Sequence, residues 1–233
     1  MVKVLRDFLL AAALLPGFST HETMHAVPLD EAPWRSLVRV QTELGGRCTG
    51  FLIAPAIVVT AAHCLFVHKT GHYLQPGSVH VLWHYRLGVY AAHARVSRFI
   101  VPPLYDERDE ARNAGLDRAV LVLDHPIAPA ADALKPARLM PPTGTAVWLA
   151  GYGQDRDEIA VSGPACQVTG IQTDATGAMV IAHDCAGTLG TSGAPLLVRG
   201  PDGGWQVAGV QIEARNGQAG GLAASLVTPG ASR

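Results

Sequence analysis

The sequence predicts an all-β protein built from antiparallel barrels or a sandwich, and three observations support this prediction. From about Trp34 onward, short apolar and β-branched runs recur at fairly regular intervals. Turns that contain Gly, Pro or polar residues separate the runs, and helical periodicity is brief, as in residues 61–66. Short strands spaced in this way are typical of antiparallel sheets that close or stack.

The predicted strands share this β-branched or apolar character. They cover residues 37–41, 50–53, 57–60, 79–85, 119–123, 146–150, 179–181, 195–198, 205–212 and 223–227. Residues 124–144 contain five prolines and little strand periodicity, which is typical of a connection between two folded halves. We therefore expect one β half over residues 27–130 and a second over residues 131–233.

Composition argues against two classes of partner. Charged residues make up 16% of the 233 residues, and the formal net charge is −1. The chain has no bulk excess of basic residues with which to neutralise phosphates or anionic lipid. We expect no nucleic-acid partner, and a chain of this length can bury a large core.

The first 26 residues predict an export signal. A charged start precedes the apolar run 8–15 (FLLAAALL), which ends at Pro16. This pattern is typical of a secretory signal peptide; the run is too short to span a bilayer and has no polar face to suit an amphipathic helix. We predict a signal peptide over residues 1–26, with Thr20 and Ala26 as alternative ends, and a secreted or periplasmic protein without a membrane span.

The four cysteines fit an oxidising compartment. They fall into two local groups, Cys48 with Cys64 and Cys166 with Cys185. An even count without a Cys-x-x-Cys motif favours two disulfides over a metal site, and three pairings are formally open. We predict that the local pairs form, and that the Cys48–Cys64 bond fixes the turn beside the neighbouring histidine.

Two segments in the first half carry a histidine and a carboxylate at strand ends. Residues 58–64 (VVTAAHC) place His63 after a predicted strand, and residues 116–123 (LDRAVLVL) place Asp117 before one. A partly buried carboxylate at that point can hold the imidazole tautomer whose second nitrogen accepts a proton. The rivals by composition are Asp106, Asp109 and Asp124.

A third segment, residues 187–195 (GTLGTSGAP), places Ser192 between glycines. A serine hydroxyl needs a base to become nucleophilic, and its tetrahedral adduct needs backbone donors for the new oxyanion. Gly190 leaves its N–H open to a carbonyl oxygen, and Gly193 allows a sharp turn. We predict the amides of Gly190 and Ser192 as the oxyanion hole, although a glycine-rich hairpin without function would look similar.

Together the three segments resemble the trypsin-like (chymotrypsin-fold) serine peptidases. The order His63, Asp117, Ser192 matches that family, and residues 151–153 (GYG) echo its Gly-aromatic-Gly element. The resemblance runs from about residue 39 to residue 227. It implies two perpendicular antiparallel six-stranded β-barrels with the active site between them, histidine and aspartate coming from the first and serine from the second.

The same resemblance implies a serine endopeptidase that acts on protein or peptide substrates through a triad and an acyl-enzyme, without a metal or organic cofactor. We expect a monomer. Thr191 stands where animal digestive members have an acidic residue, which places the chain closer to the bacterial glutamyl-endopeptidase branch. We therefore predict that activation needs no freshly cut amino terminus, and that the Thr191 hydroxyl hydrogen-bonds nearby backbone.

Substrate preference is the weakest inference from the sequence. Residues 186–189 contain no acid, so a lysine or arginine preference is not supported. Asp184 and Glu213 are nearby carboxylates that could line the pocket or lie in solvent. His183 and Arg215 are more distant candidates for recognising a glutamate. We favour a small or apolar side chain at this subsite.

The ten histidines do not predict a metal site. If residues 79–85 form a strand, His80 and His84 share a face but lie roughly 13 Å apart, too far to share an ion. His68 and His72 lie in a loop that contains a glycine.

Two other functions compete with peptidase activity. One is an inactive binding module on the same scaffold, since fold does not fix function. The other is an α/β hydrolase, which the chain order disfavours because the serine would come first there.

Overall fold

The described part of the chain consists mainly of strands. The computed structural model describes residues 24–156, 158–215 and 219–227. In chain order its strands are β1 (His25–Ala26), β2 (Leu37–Thr42), β3 (Arg47–Ala54), β4 (Ile57–Thr60), β5 (Phe66–Val67), β6 (His72–Tyr73), β7 (Val79–Trp83), β8 (Ala92–Ile100), β9 (Ala119–Leu123), β10 (Lys135–Pro136), β11 (Ala146–Gly151), β12 (Val161–Ser162), β13 (Cys166–Thr173), β14 (Met179–His183), β15 (Pro195–Arg199), β16 (Trp205–Ala214) and β17 (Gly221–Ser225).

Helical segments are short. One α-helix, α1 (Glu110–Asn113), lies within the described residues. Single turns of 3-10 helix lie at Trp34–Ser36, His63–Leu65, Pro76–Ser78, Glu107–Asp109, Ala114–Leu116, Ala130–Asp132 and Gln154–Arg156. No helix in the described ranges is long and apolar enough to cross a membrane.

The first barrel closes in the order β2-β3-β4-β9-β8-β7, with every neighbouring pair antiparallel. Its strands alternate, so that in β9 Ala119, Leu121 and Leu123 are buried while the residues between them are only half buried. Gly50 has no room for a side chain, because a Cβ there would lie 2.9 Å from Val58. The sheet therefore curves closely around an aliphatic core.

The second barrel closes in the order β11-β13-β14-β17-β16-β15, because β15 pairs with both β16 and β11. Its core includes the fully buried side chains of Val147, Ile181 and Leu196. The short strands β1 and β12 extend the sheet beyond β11, and β10 adds a parallel edge to β16. The predicted all-β fold of two six-stranded barrels is confirmed.

Each predicted strand is present, but two barrel strands escaped prediction. In β8 only Ala94 and Val96 are buried, and arginine, serine and histidine fill most other positions. β13 contains Gly170 at a shift in register, and this glycine together with glutamine and threonine residues makes up more than half of its sequence. In both strands cross-strand pairing overrides a weak local pattern.

The segment that links the barrels is largely irregular, as predicted, although Lys135 and Pro136 form β10 beside Gln206 and Val207. The predicted export signal lies outside the described residues except at its end. There His25 and Ala26 form β1 and pair with β12.

Candidate active site

His63 and Asp117 are brought together by two paired strands. β4 ends just before His63 and β9 begins just after Asp117, and Thr60 lies opposite Ala119 in the ladder. His63 Nδ1 lies 2.6 Å from Asp117 Oδ2, and the His63 backbone N–H donates to Asp117 Oδ1 at 3.0 Å. Asp117 is 4% exposed, so its carboxylate holds the imidazole in one orientation.

The rival aspartates have other partners. Asp106 accepts the Arg108 N–H at the start of a 3-10 turn, and Asp124 accepts the Arg95 N–H while contacting His125. Neither they nor Asp109 bonds to His63 in the described part of the chain. Asp117 is the carboxylate partner of the histidine.

The surroundings of His63 raise its pKa above the usual 6.5. Burial alone disfavours the imidazolium and lowers the pKa, but the hydrogen bond and negative charge of Asp117 outweigh it, and Glu107 and Glu110 add to the rise. The group can therefore hold a proton taken from a nucleophile and later release it.

The loop that carries Ser192 is pressed against the first barrel close to His63. The Thr49 N–H donates to the Ser192 carbonyl oxygen at 2.9 Å. A Cβ at Gly193 would lie 2.1 Å from the Thr49 oxygen and 3.0 Å from the Ala61 nitrogen, and the φ of Gly193 is +84°. Only glycine fits after the serine. The contact places the loop against Ala61, which precedes His63 by two residues in the chain.

Backbone bonding in this loop leaves two amides open. The N–H groups of Thr191, Gly193 and Ala194 each donate to a backbone carbonyl. Those of Gly190 and Ser192 donate to no acceptor among the described residues. Two open amides, one on each side of Thr191, are a geometry suited to a developing oxyanion.

Gly190 is confined by its neighbours. Its φ is +95°, and a Cβ would lie 2.5 Å from the Tyr152 carbonyl oxygen. A larger residue would push the Gly190 peptide away from Tyr152, which directly follows the end of β11. The Gly151-Tyr152-Gly153 element therefore shapes the loop.

Thr191 is 3% exposed, and its hydroxyl donates to the Thr188 carbonyl at 2.6 Å. The prediction that this hydroxyl bonds nearby backbone is confirmed. The threonine closes a local turn with no charged partner required.

Thr49 is a residue of the site that sequence reasoning missed. Its fully buried hydroxyl accepts the Tyr152 N–H and donates to the Gly190 carbonyl, each at 2.9 Å. The side chain thus joins the first barrel to the loop that carries Gly190. Its position directly after Cys48 was the available signal, because that cysteine was already expected beside His63.

Both predicted disulfides are present, Cys48–Cys64 and Cys166–Cys185. The first links β3 to the 3-10 turn that begins at His63. Cys48, Cys64 and His63 cluster closely, but the bonded sulfurs are not thiolate ligands for a metal.

The candidate pocket residues have separate environments. Asp184 is exposed and accepts the Gln167 N–H, and Arg215 is exposed. Glu213 is exposed and lines a cavity of about 510 Å³ beside Asp117. His183 is 2% exposed and bonds through Nε2 to the Gln211 amide oxygen at 2.7 Å; burial lowers its pKa.

The prediction that His80 and His84 lie on one face of a single strand is wrong. β7 ends at Trp83, and His84 adopts a positive φ of 51°, so the two imidazoles do not follow one strand. His80 instead stacks on His93, with Nδ1 and Nε2 2.8 Å apart.

Comparison with known proteins decides the family. The family described as Trypsin matches residues 23–229. The chain belongs to the trypsin family. The human Transmembrane protease serine 5 is 29% identical over 201 residues, a match that covers 76% of this trypsin-family chain and 42% of the relative. The chain thus spans less than half of that curated relative's length.

A solved structure entitled "Structure of Glu endopeptidase in complex with MPD" has the same fold as this trypsin-family chain. The TM-score is 0.71 at 22% identity, with 89% of this chain and 93% of the other covered. The predicted membership of the trypsin-like serine peptidases is confirmed, and the likeness to Glu endopeptidase is one of fold.

Proposed function

We propose that this trypsin-family protein is a serine endopeptidase with Ser192 as nucleophile, His63 as general base and acid, and Asp117 as the carboxylate that orients the histidine. The observation that carries the proposal is the partly buried His63–Asp117 pair beside a serine loop with two open amides. The serine, the base and the oxyanion donors are the groups that acyl transfer requires.

Catalysis begins when His63 Nε2 removes the proton from Ser192 Oγ as this oxygen attacks the scissile carbonyl carbon. The carbonyl oxygen becomes an oxyanion, and the N–H groups of Gly190 and Ser192 donate to it. The protonated His63 then passes its proton to the leaving amine as the C–N bond breaks. An ester between Ser192 and the acyl half of the substrate remains.

Hydrolysis of the ester repeats these steps with water as nucleophile. His63 takes a proton from the water as its oxygen attacks the ester carbonyl, and returns a proton to Ser192 Oγ as the acid product leaves. Asp117 accepts the hydrogen bond from Nδ1, so Nε2 is the nitrogen that exchanges protons.

Export to an oxidising compartment is also part of the proposal, supported by the two disulfides. Removal of the leader after Thr20 would keep His25 and Ala26 paired with β12, whereas removal after Ala26 would delete β1. We therefore favour cleavage after Thr20, a secreted or periplasmic protein, and a monomer that acts on peptides. Amino-terminal sequencing and size-exclusion chromatography of the mature protein test these statements.

Digestion of a peptide library with intact-mass readout tests the activity and its preference together. The proposal predicts internal cleavage by the mature protein and none by Ser192→Ala prepared in the same way. Cleavage that persists in the variant would reject the proposed nucleophile. A folded wild-type protein without turnover would favour the binding-module alternative.

A further inference from the structure

A histidine and two glutamates converge beside the candidate active site but outside its catalytic groups. His68 lies on the loop between β5 and β6, Glu107 begins a 3-10 turn, and Glu110 begins α1. One potential ligand atom from each residue lies within 4.8 Å of those from the other two. The imidazole and one carboxylate are exposed, so the cluster opens to solvent.

Glu107 is the unusual member, because its side chain is only 1% exposed. The Tyr105 hydroxyl donates to Oε2, whereas the buried Oε1 accepts no hydrogen bond. His68 Nε2 lies 3.2 Å from that oxygen, but in a geometry that makes no hydrogen bond. A buried carboxylate oxygen without a donor is unfavourable unless a cation or a proton compensates it, and an ion held by neighbouring ligands supplies the first of these.

The spacing of the ligand atoms suits a tetrahedral ion. Zn²⁺ binds imidazole nitrogen and carboxylate oxygen at about 2.0–2.2 Å, which places neighbouring ligand atoms roughly 3.3 Å apart. The distance of 3.2 Å between His68 Nε2 and Glu107 Oε1 agrees with this separation. A donor set of one nitrogen and two carboxylates favours zinc over calcium or magnesium, which prefer oxygen ligands alone.

The loops that carry these ligands are already connected. Arg108 Nη2 donates to the Gly71 carbonyl at 3.3 Å, which joins the β5–β6 loop to the turn that contains Glu107. The Tyr105 hydroxyl holds the remaining oxygen of Glu107 in place. Such support from neighbouring groups orients metal ligands before the ion arrives.

We propose that His68, Glu107 and Glu110 form a three-ligand site for a divalent zinc ion, with the fourth position open to solvent. The ion would bind to both the β5–β6 loop and the segment from Glu107 that leads into Asp117. Sequence spacing did not indicate this site, because the ligands come from two distant segments.

Isothermal titration calorimetry of the full mature chain with Zn²⁺ tests the proposal, in a Ser192→Ala background that prevents self-digestion. We expect one ion per chain, with at least a tenfold increase in Kd in both His68→Ala and Glu110→Gln. His72→Ala is the matched control, because it removes an exposed histidine at the start of β6, directly after the same loop but outside the cluster. His63→Ala checks that zinc does not bind at the catalytic imidazole.

Both ligand variants change exposed side chains, and their melting temperatures without metal should match that of the parent. Absence of zinc binding, an unchanged Kd in His68→Ala, or an equal loss in His72→Ala or His63→Ala would overturn the proposal. Ca²⁺ that binds as tightly as Zn²⁺ would do so as well, since the assignment depends on the imidazole ligand.

Discussion

The buried hydroxyl of Thr49 should control the oxyanion donor at Gly190. Thr49→Val keeps the side-chain shape but removes the bonds to the Tyr152 N–H and the Gly190 carbonyl, both of 2.9 Å. Leaving a fully buried polar group unsatisfied costs about 1–3 kcal/mol; two groups lose their partner here, and because the Gly190 carbonyl is only partly buried, the free energy of unfolding should fall by about 2–4 kcal/mol in total. Loss of a whole oxyanion donor lowers kcat by about 10²–10³-fold, and a displaced donor should cost on the order of 10–100-fold.

Steady-state kinetics on a cleavable peptide and denaturant unfolding measure the two effects separately. The loss should fall on kcat more than on KM, because an oxyanion donor acts mainly in the transition state. Thr49→Ser retains the hydroxyl and should restore kcat to within about threefold of wild type.

Ser162→Ala is the matched control, since it removes another buried hydroxyl, one that bonds to the Leu149 and Gly163 carbonyls and, among the described residues, to no group of the serine loop. It should lower stability and leave kcat unchanged. A Thr49→Val protein with wild-type kcat, or a Thr49→Ser protein as impaired as the valine variant, would refute this role for Thr49.

Three further predictions concern protonation, a buried charge and the amino terminus. Asp117 outweighs burial and raises the pKa of His63, and protonation removes the general base, so kcat/KM should fall about tenfold for each pH unit on the acid side of the pH profile. The midpoint of this fall should lie above pH 6.5, and a midpoint below pH 6.5 would contradict the prediction. Glu158→Ala removes the carboxylate that lies 3.2 Å from the buried Arg39 guanidinium, and denaturant unfolding should show a loss of about 1–3 kcal/mol in the free energy of unfolding. The loss should be smaller than for a fully buried ion pair because Glu158 is 43% exposed. A double variant with Arg39→Met should recover part of the loss, and no loss in the single variant would contradict the pairing. Because Thr191 closes its turn on backbone, one or two extra residues before the mature start should leave kcat/KM within about twofold, and an extension that abolishes activity until trimmed would show that the terminus controls the site.

Local sequence patterns predicted most strands and indicated the segments that form the candidate site. His63 and Asp117 could be found because each borders a strongly apolar strand, and those two strands proved to be paired. Ser192 could be found because glycines on both sides mark a tight loop. Such signals lie within a few residues of the group they identify.

Features that depend on distant segments could not be predicted in this way. Thr49 acts through Tyr152 and Gly190, which follow it by about a hundred residues or more in the chain. β8 is held by pairing with both β7 and β9, although arginine, serine and histidine interrupt its apolar residues. The buried environment of Glu107 likewise arises from tertiary packing and has no apolar signature around it.

The most direct test of the proposed mechanism is the rate at which a fluorophosphonate labels the mature protein, with the labelled peptide identified by mass spectrometry. The account predicts a single adduct on Ser192, no adduct in Ser192→Ala, and a labelling rate reduced by several orders of magnitude in folded His63→Ala. Labelling at another residue, or an equal rate without His63, would contradict the assignment of Ser192 as a nucleophile activated by His63.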